Sequence, residues 1–298
     1  MDPQRQSWEQ SAERMVARIV VGLALFAIAV YVGYRYGITL WDWLKLLVVP
    51  AVIAGGGIWF NHQQRERELE MAERRTQDEA LQAYLDQMSE MLVPNKDQPS
   101  LYKARPGDSL SFVARARTLT VLSRLDDERK ARVVQFLYES DLISSANPVL
   151  DLSGADLRGI DLSRAFLVGA YLHGVNLKEA NLLGVHLVTA NLLGADLREA
   201  DLREASLEGA DLGAADLREA NLSGAYLRRA DLRAADLSRA SLIGTYLLGT
   251  NLLGASGWTE EQLSAAMTLE EATMPDGKIL RGKANPDGPT FDEWAKDK

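Results

Sequence analysis

Residues 191–220 read NLLGADLREADLREASLEGADLGAADLREA, and in them, as in the whole stretch from 151 to 252, leucine returns every fifth residue. The series starts at Leu152 and Leu157 and runs without a miss to Leu247 and Leu252. Two places before each leucine stands a small residue, mostly alanine (Ala155, Ala190, Ala200, Ala210), with Ile160, Val175, Val185, Thr245 and Thr250 among the exceptions. One place before it stands Asp or Asn in most repeats. A period of five matches neither the helix period of about 3.6 nor the strand period of 2. A repeat too short to bury its own apolar face must stack on its neighbours, which is the logic of a solenoid. Leucines then fill the axis, alanines occupy corners with no room for more, and the Asp or Asn side chain can hydrogen-bond nearby backbone at a turn.

The exceptions at the Asp/Asn position give the number of repeats per turn. Phe166, His186, Ser206, Tyr226 and Tyr246 are spaced by twenty residues, while Asp156, Asn176, Asp196, Asp216 and Asp236 form a second, polar column. Four pentapeptides per coil follow, with about five coils rising by roughly 4.8 Å each, so the rod is about 25 Å long. ADLRE, ANLLG and ADLSR are instances of the motif A(D/N)Lxx, and on these residues the stretch resembles the pentapeptide-repeat family. The resemblance implies a right-handed quadrilateral β-helix with the leucine and the small residue inward and the other three outward. It implies no single activity, although family members with acidic surfaces inhibit DNA gyrase by imitating duplex DNA.

Outside the repeats, 14 polar residues precede an apolar run from Met15 to Tyr34, and a second run spans Leu44 to Phe60. Each is near the roughly 20 residues needed to cross a bilayer, with Arg18 and Lys45 placed to snorkel. The runs therefore read as a two-span transmembrane hairpin over 15–60, integral to the lipid bilayer. The second run argues against a cleaved signal peptide. Arginines flank the pair on the outer sides (Arg5, Arg14, Arg65, Arg67), so the positive-inside rule puts both termini of a multi-pass plasma-membrane protein of bacterial type in the cytoplasm.

Residues 61–93 read as an amphipathic stalk whose stripe, Leu81, Tyr84, Leu85, Met88, Met91 and Leu92, lies on one helix face. That stripe can pair two copies or fold onto the next segment. Residues 94–147 read as a linker and a short helical pair, Ser109 to Leu125 and Asp127 to Ser140, with Val113, Val121, Val133, Phe136 and Leu137 on buried faces and Asp126 or Asp127 as a cap. The pair reads as an adaptor shielding the first coil of the rod at 148–255, since open sheet edges recruit other strands. In 256–298, Thr259 and Gln262 form a capping box for a helix to about Met267, where Leu263 and Met267 close the last coil. Pro275-Asp276-Gly277 reads as a turn, and the residues beyond Arg281 as a charged, loosely ordered tail.

The chain carries 33 basic and 42 acidic residues, a formal charge of -9, and no cysteine. That balance offers no whole-chain attraction to nucleic acid, and the composition removes disulfides and cysteine nucleophiles. His62, His173 and His186 lie in different settings without metal-ligand spacing, and there is no phosphate-binding glycine loop or nucleophile elbow. The chain thus reads as a non-enzymatic scaffold for an unknown protein partner on the cytoplasmic side, without metal or cofactor, and with homodimerisation through stalk or rod open. The alternative is a DNA-mimicking regulator of a topoisomerase such as gyrase. It is weakened by charge, because between Leu150 and Trp258 nine Asp and five Glu face nine Arg and one Lys. Arg158, Lys178, Arg198 and Arg218 form one column beside another of Glu179, Glu199 and Glu219, which reads as a self-neutralised solvent face. The candidate interaction face is the aromatic column Phe166, His186, Tyr226 and Tyr246 with its neighbours Val168, Val188 and Leu248, in a second column whose charges are Glu208 and Arg228.

Overall fold

A computed structural model describes residues 31, 32, 35, 40–93, 100–144 and 148–297. Two compact units divide the chain, Met1–Glu73 and Arg74–Lys298. Helix α1 spans Leu40–Leu92. Nearly all of the first apolar run lies outside the described residues, while the second lies at the start of α1. No helix among the described residues is long and apolar enough to cross a membrane. The expectation of a transmembrane hairpin, and with it a multi-pass plasma-membrane protein with cytoplasmic termini, is therefore corrected. Physically, Lys45, Pro50 and Gly55 to Gly57 dilute the second run, and the helix continues without a break into the polar RERELEMAERR sequence.

The C-terminal part of α1 packs onto a helical pair, α2 (Ser109–Leu122) and α3 (Asp127–Glu139). Leu81, Tyr84 and Met88 are buried there, Tyr84 meets Phe136 edge-on at 6.4 Å, and its hydroxyl shares a 2.8 Å hydrogen bond with Thr118. Burial pushes the Tyr84 phenol up to about 12. The stalk stripe thus folds onto the next segment, with Leu85, Met91 and Leu92 half-buried. Asp126 caps α3, its carboxylate accepting from the Arg129 N–H. The Arg129 guanidinium, almost fully buried, joins Asp126 to Asp78 of α1 at 2.8 Å. On α2 the inward residues are Ala114, Thr118, Val121 and Leu122. Val113 is rotated out of that set and exposed beside Phe112, against the sequence expectation.

From Leu152 onward the backbone winds in square coils of twenty residues. Parallel bridges run Asp156 to Asn176 to Asp196 to Asp216 to Asp236 to Ser256 on one face, and three more columns start at Asp161, Phe166 and Tyr171. Each face holds a single bridge rather than an extended strand, because a turn consumes most of every pentapeptide. The turn closes through one bond, such as Ala180 N–H to Leu177 O at 3.1 Å, and its fifth residue has positive φ throughout. Between 154 and 254 eleven of these residues are glycine and ten are not, Glu179 (φ 60°) and Arg239 (φ 62°) among them. A left-handed conformation costs a non-glycine residue about 1 to 2 kcal/mol. It persists because the same pentapeptide makes bonds to the coils above and below, as Asn176 N–H to Ala155 O and Leu177 N–H to Asp196 O. The leucines are buried from end to end, and so are the small residues two places earlier apart from the half-buried Ala165. At Thr245 and Thr250 the buried hydroxyl donates to Leu222 O and Leu227 O, which satisfies a polar group placed where alanine otherwise stands.

Both ends are covered. Arg115 of α2 donates to the carbonyls of Asp151 and Ser153 in the first coil, and Ile143 O accepts from Tyr171 N–H at 2.6 Å. At the far end Thr259 and Gln262 form a reciprocal capping box at helix α4 (Glu260–Ser264), and the Gln262 amide donates to Leu237 O and Ala240 O. The backbone then re-enters the rod as an irregular sixth turn, with Thr268 bridging Tyr246 and Thr273 bridging Asn251. Leu263 is buried but Met267 is exposed, because α4 ends at Ser264 and the chain returns to the edge through the bridge at Thr268. The loosely ordered tail is also corrected. Helix α5 (Phe291–Ala295) carries its own capping box from Thr290 to Glu293 and buries Trp294 completely.

Candidate interaction face

On three faces of the rod the residue before the leucine is mostly Asp or Asn, and its Oδ1 accepts the backbone N–H two residues on, as Asp196 does from Arg198 and Asn221 from Ser223. This Asx turn is what the motif's second position supplies. The arginines there also fork onto the same carboxylate. Arg158, Arg198, Arg203, Arg218 and Arg233 each lie within 2.6 to 2.8 Å of the Asp two residues earlier. Arg198 and Arg218 then reach Asp216 and Asp236 of the next coil at 3.5 and 3.7 Å. The expected partner column of glutamates therefore takes only Lys178, which bridges Glu179 and Glu199, and Arg239, on Glu219. Bidentate geometry selects Asp for Arg, while a lysine ammonium acts as a point charge beside any carboxylate.

These contacts set the acid response of the rod. The Arg158 guanidinium holds the Asp156 carboxyl down to about 2 from its ordinary 3.8, and Asp196 and Asp201 are lowered by Arg198 and Arg203 in the same way. Asp161 and Asp236 are lowered chiefly by bonds from Ser163 and Ser238. Carboxyls depressed in the folded state remain charged where the unfolded chain, near 3.9, already takes up protons. The stabilisation is present in full above about pH 4 and is lost as pH falls toward about 2. The urea midpoint should accordingly stay level from about pH 7 to about pH 5 and decline below about pH 4. A midpoint that rises on acidification through that window would contradict the assignment.

The fourth face departs from this pattern. Phe166, His186, Ser206, Tyr226 and Tyr246 occupy the bridge position, stacked directly above one another. Phe166 and His186 are parallel at 4.5 Å and 2°, and Tyr226 and Tyr246 at 4.8 Å and 6°. None of these side chains takes the Asx role: among the described residues the N–H groups of Val168, Val188, Glu208, Arg228 and Leu248 receive no such bond. The face is open to solvent, with Phe166 69% exposed, Val168 46% and Tyr226 44%, while His186, Val188, Tyr246 and Leu248 are half-buried by their neighbours along the ladder. Neither the helical pair nor the C-terminal segment covers it. The Tyr138 hydroxyl donates to Val168 O at 3.1 Å at one end of the strip, and Thr268 continues the column beyond Tyr246 at the other. Sequence reasoning missed the exposure of Phe112 and Val113 on α2, whose signal was the four-residue spacing of the inward Ala114 and Thr118.

The histidines lie apart. His62 is 3.3 Å from Glu66, His173 Nδ1 is 3.0 Å from Leu193 O, and His186 stacks under Phe166. Among the described residues no group of three His, Cys, Asp or Glu side chains could hold a metal ion.

Residues 151–187, 180–218, 195–233 and 215–256 match a family model described as pentapeptide repeats, in eight copies. A pentapeptide-repeat protein of the Arabidopsis thaliana thylakoid lumen is 33% identical over 31% of this chain and 68% of that one, with a TM-score of 0.26. The cyanobacterial protein Rfr23 of Cyanothece 51142 is 33% identical over 36% of this chain and 63% of that one, with a TM-score of 0.28. QnrB1, a plasmid-mediated fluoroquinolone resistance protein, is 18% identical over 44% and 76%, with a TM-score of 0.24. No curated protein matches the chain.

Proposed function

We propose, from the premise that the chain belongs to the pentapeptide-repeat family, whose fold is a right-handed β-helix, that this protein is a non-enzymatic scaffold docking another protein through its aromatic face. The observation that carries the reading is the loss of polar character on one face alone. In five successive coils the Asp or Asn that would bind its own turn is replaced by an aromatic ring, histidine or serine, and the resulting strip stays open to solvent. Each forgone Asx bond is worth about 0.5 to 1.5 kcal/mol, so the strip is maintained against the local stability of the coil. A contact surface supplies a reason for that arrangement: rigid rings offer large contact area at little entropic cost, and free backbone N–H groups offer bonds. The topoisomerase reading gains nothing from the geometry, since a DNA mimic needs an unbroken negative field. Here five of the nine aspartates between 150 and 258 are neutralised in place by forked arginines.

Replacing Tyr226 by glutamate tests the docking role. The substituted side chain projects outward from a coil whose interior is unchanged, so the melting temperature of the full chain should move by about 2 °C or less. Cross-linked complexes recovered through the wild-type face should disappear. A large fall in melting temperature would show instead that the ring is internal packing, and unchanged complexes would remove the face from function.

A further inference from the structure

The charges on the aromatic face point to its occupant. Ten basic residues lie between 150 and 258, and seven of them are ion-paired within the rod. The three outside that set are Arg164, Arg228 and Arg229. Arg228 is the exceptional one, because it holds the position from which Arg158, Arg198, Arg203, Arg218 and Arg233 reach an Asp two residues earlier. In its coil that Asp is Tyr226. One coil above, on the same column, stands the exposed Glu208, also without an ion pair among the described residues. The two charges are adjacent and opposite, and Val168 and Val188 precede them while Leu248 follows.

We propose that the face is occupied by a second copy of this chain, related by a twofold axis lying across the rod between the coils of Ser206 and Tyr226. The inference rests on the docking reading above and names its partner. A twofold perpendicular to the rods runs them antiparallel and sets each column against its own copy, with the order reversed. Glu208 then faces the partner's Arg228, and Arg228 faces the partner's Glu208. In the same register Val188 meets the partner's Leu248 and His186 meets the partner's Tyr246, apolar on apolar and ring on ring. Moving the axis by half a coil onto Ser206 puts Glu208 on Glu208 and Arg228 on Val188. A half-coil shift the other way, onto Tyr226, puts Arg228 on itself and Glu208 on Leu248. Of these three axes only the one between the two coils gives Glu208 and Arg228 each an opposite partner, with the exposed Glu270, the next rung beyond Leu248, then set against the partner's Val168 at the rim, and like charges brought together across an interface oppose association. A face of five coils at about 4.8 Å, roughly 10 Å wide, buries about 250 Å² per copy. That is well below the roughly 800 Å² per partner of a stable complex, so the dimer is weak and reversible, forming at high local concentration.

The charge-swap experiment uses the full chain. In sedimentation equilibrium from about 10 to about 500 micromolar, the wild type should show a reversible dimer. Glu208→Arg and Arg228→Glu should each weaken it by about tenfold or more, and the double variant should restore it, since the swapped charges face each other again. Any association through other parts of the chain is common to all four proteins and drops out of the comparison. Register is read separately in a chain that has no cysteine of its own. A Val188→Cys, Leu248→Cys double variant should form a covalent dimer on mild oxidation while neither single variant does, because 188 lies three coils from its own copy in this arrangement. A wild type that stays monomeric, swaps without effect, or cross-linking by a single variant would each overturn the proposal. If those fail while Tyr226→Glu still abolishes capture of a different protein, the docking face stands and its occupant is that protein. If Tyr226→Glu also changes nothing, both readings fall.

Discussion

Replacing Leu202 by alanine should lower the unfolding free energy of the rod by about 3 kcal/mol, the usual range for a buried leucine being about 2 to 5. Leu202 is fully buried in the middle of the repeats, with Leu182 and Leu222 directly before and after it in the stack. The interior stacks one such side chain per face in every coil, and the backbone on every side is pinned by bonds to the adjacent coils, as in Leu202 N–H to Asn221 O at 2.8 Å. The walls therefore cannot collapse into the vacated space, which places the cost above the lower end of that range. Since each coil touches only its neighbours, the loss falls on the contacts between coils and should split a cooperative transition as well as weaken it. Urea unfolding followed by circular dichroism checks the expectation: a loss below about 1 kcal/mol would mean that the axis is loosely filled and that the ladder, not the leucine file, holds the rod.

The leucine file is also where the sequence was most legible. A period of five with twenty-residue spacing of the exceptions specified four-sided coils, because each position meets the same environment in every repeat and its chemistry accumulates down a column. The aromatic column was legible for the same reason, as a break in a pattern otherwise kept. What periodicity cannot express is which side chain a charge selects. The arginine columns looked destined for the glutamates beside them, yet a guanidinium fork fits the aspartate two residues back, and only Lys178 and Arg239 take the expected glutamates. Nor does apolarity by itself define a span. The run from Leu44 to Phe60 has the composition of one, but Pro50, three glycines and the uninterrupted polar continuation of α1 leave no helix among the described residues apolar enough to cross a membrane. The C-terminal segment escaped because it has no repeat at all. Its order comes from one residue, Trp294, whose burial depends on a partner 36 positions away, Trp258.

That residue gives the second large effect: Trp294→Ala should cost about 3 to 5 kcal/mol, concentrated at the C-terminal end of the rod. Trp294 is completely buried, 5.5 Å from Trp258 and 5.7 Å from Phe291, and its indole N–H reaches both oxygens of Asp276 at 3.1 Å. Asp276 sits in the tight turn that Gly277 closes through its N–H to Met274 O, and Pro275 O in that turn accepts from Gly254 in the last regular repeat. The indole thus fixes the turn, and the turn covers a row of backbone groups at the end of the ladder. Removing it leaves a cavity and frees the segment from Thr268 onward, so that Leu247 and Leu252, whose N–H groups bond Thr268 O and Thr273 O, become an open edge. Open edges recruit strands from other molecules, so the variant should aggregate at concentrations where the wild type does not. Hydrogen exchange separates this outcome from general weakening: protection should fall at Leu247, Leu252 and Gly254 and be retained at Leu197 and Leu202. Equal loss along the whole rod would show that the cap stabilises it cooperatively instead of locally. A loss below about 1 kcal/mol would return the segment beyond Arg281 to the loosely ordered tail its composition suggests.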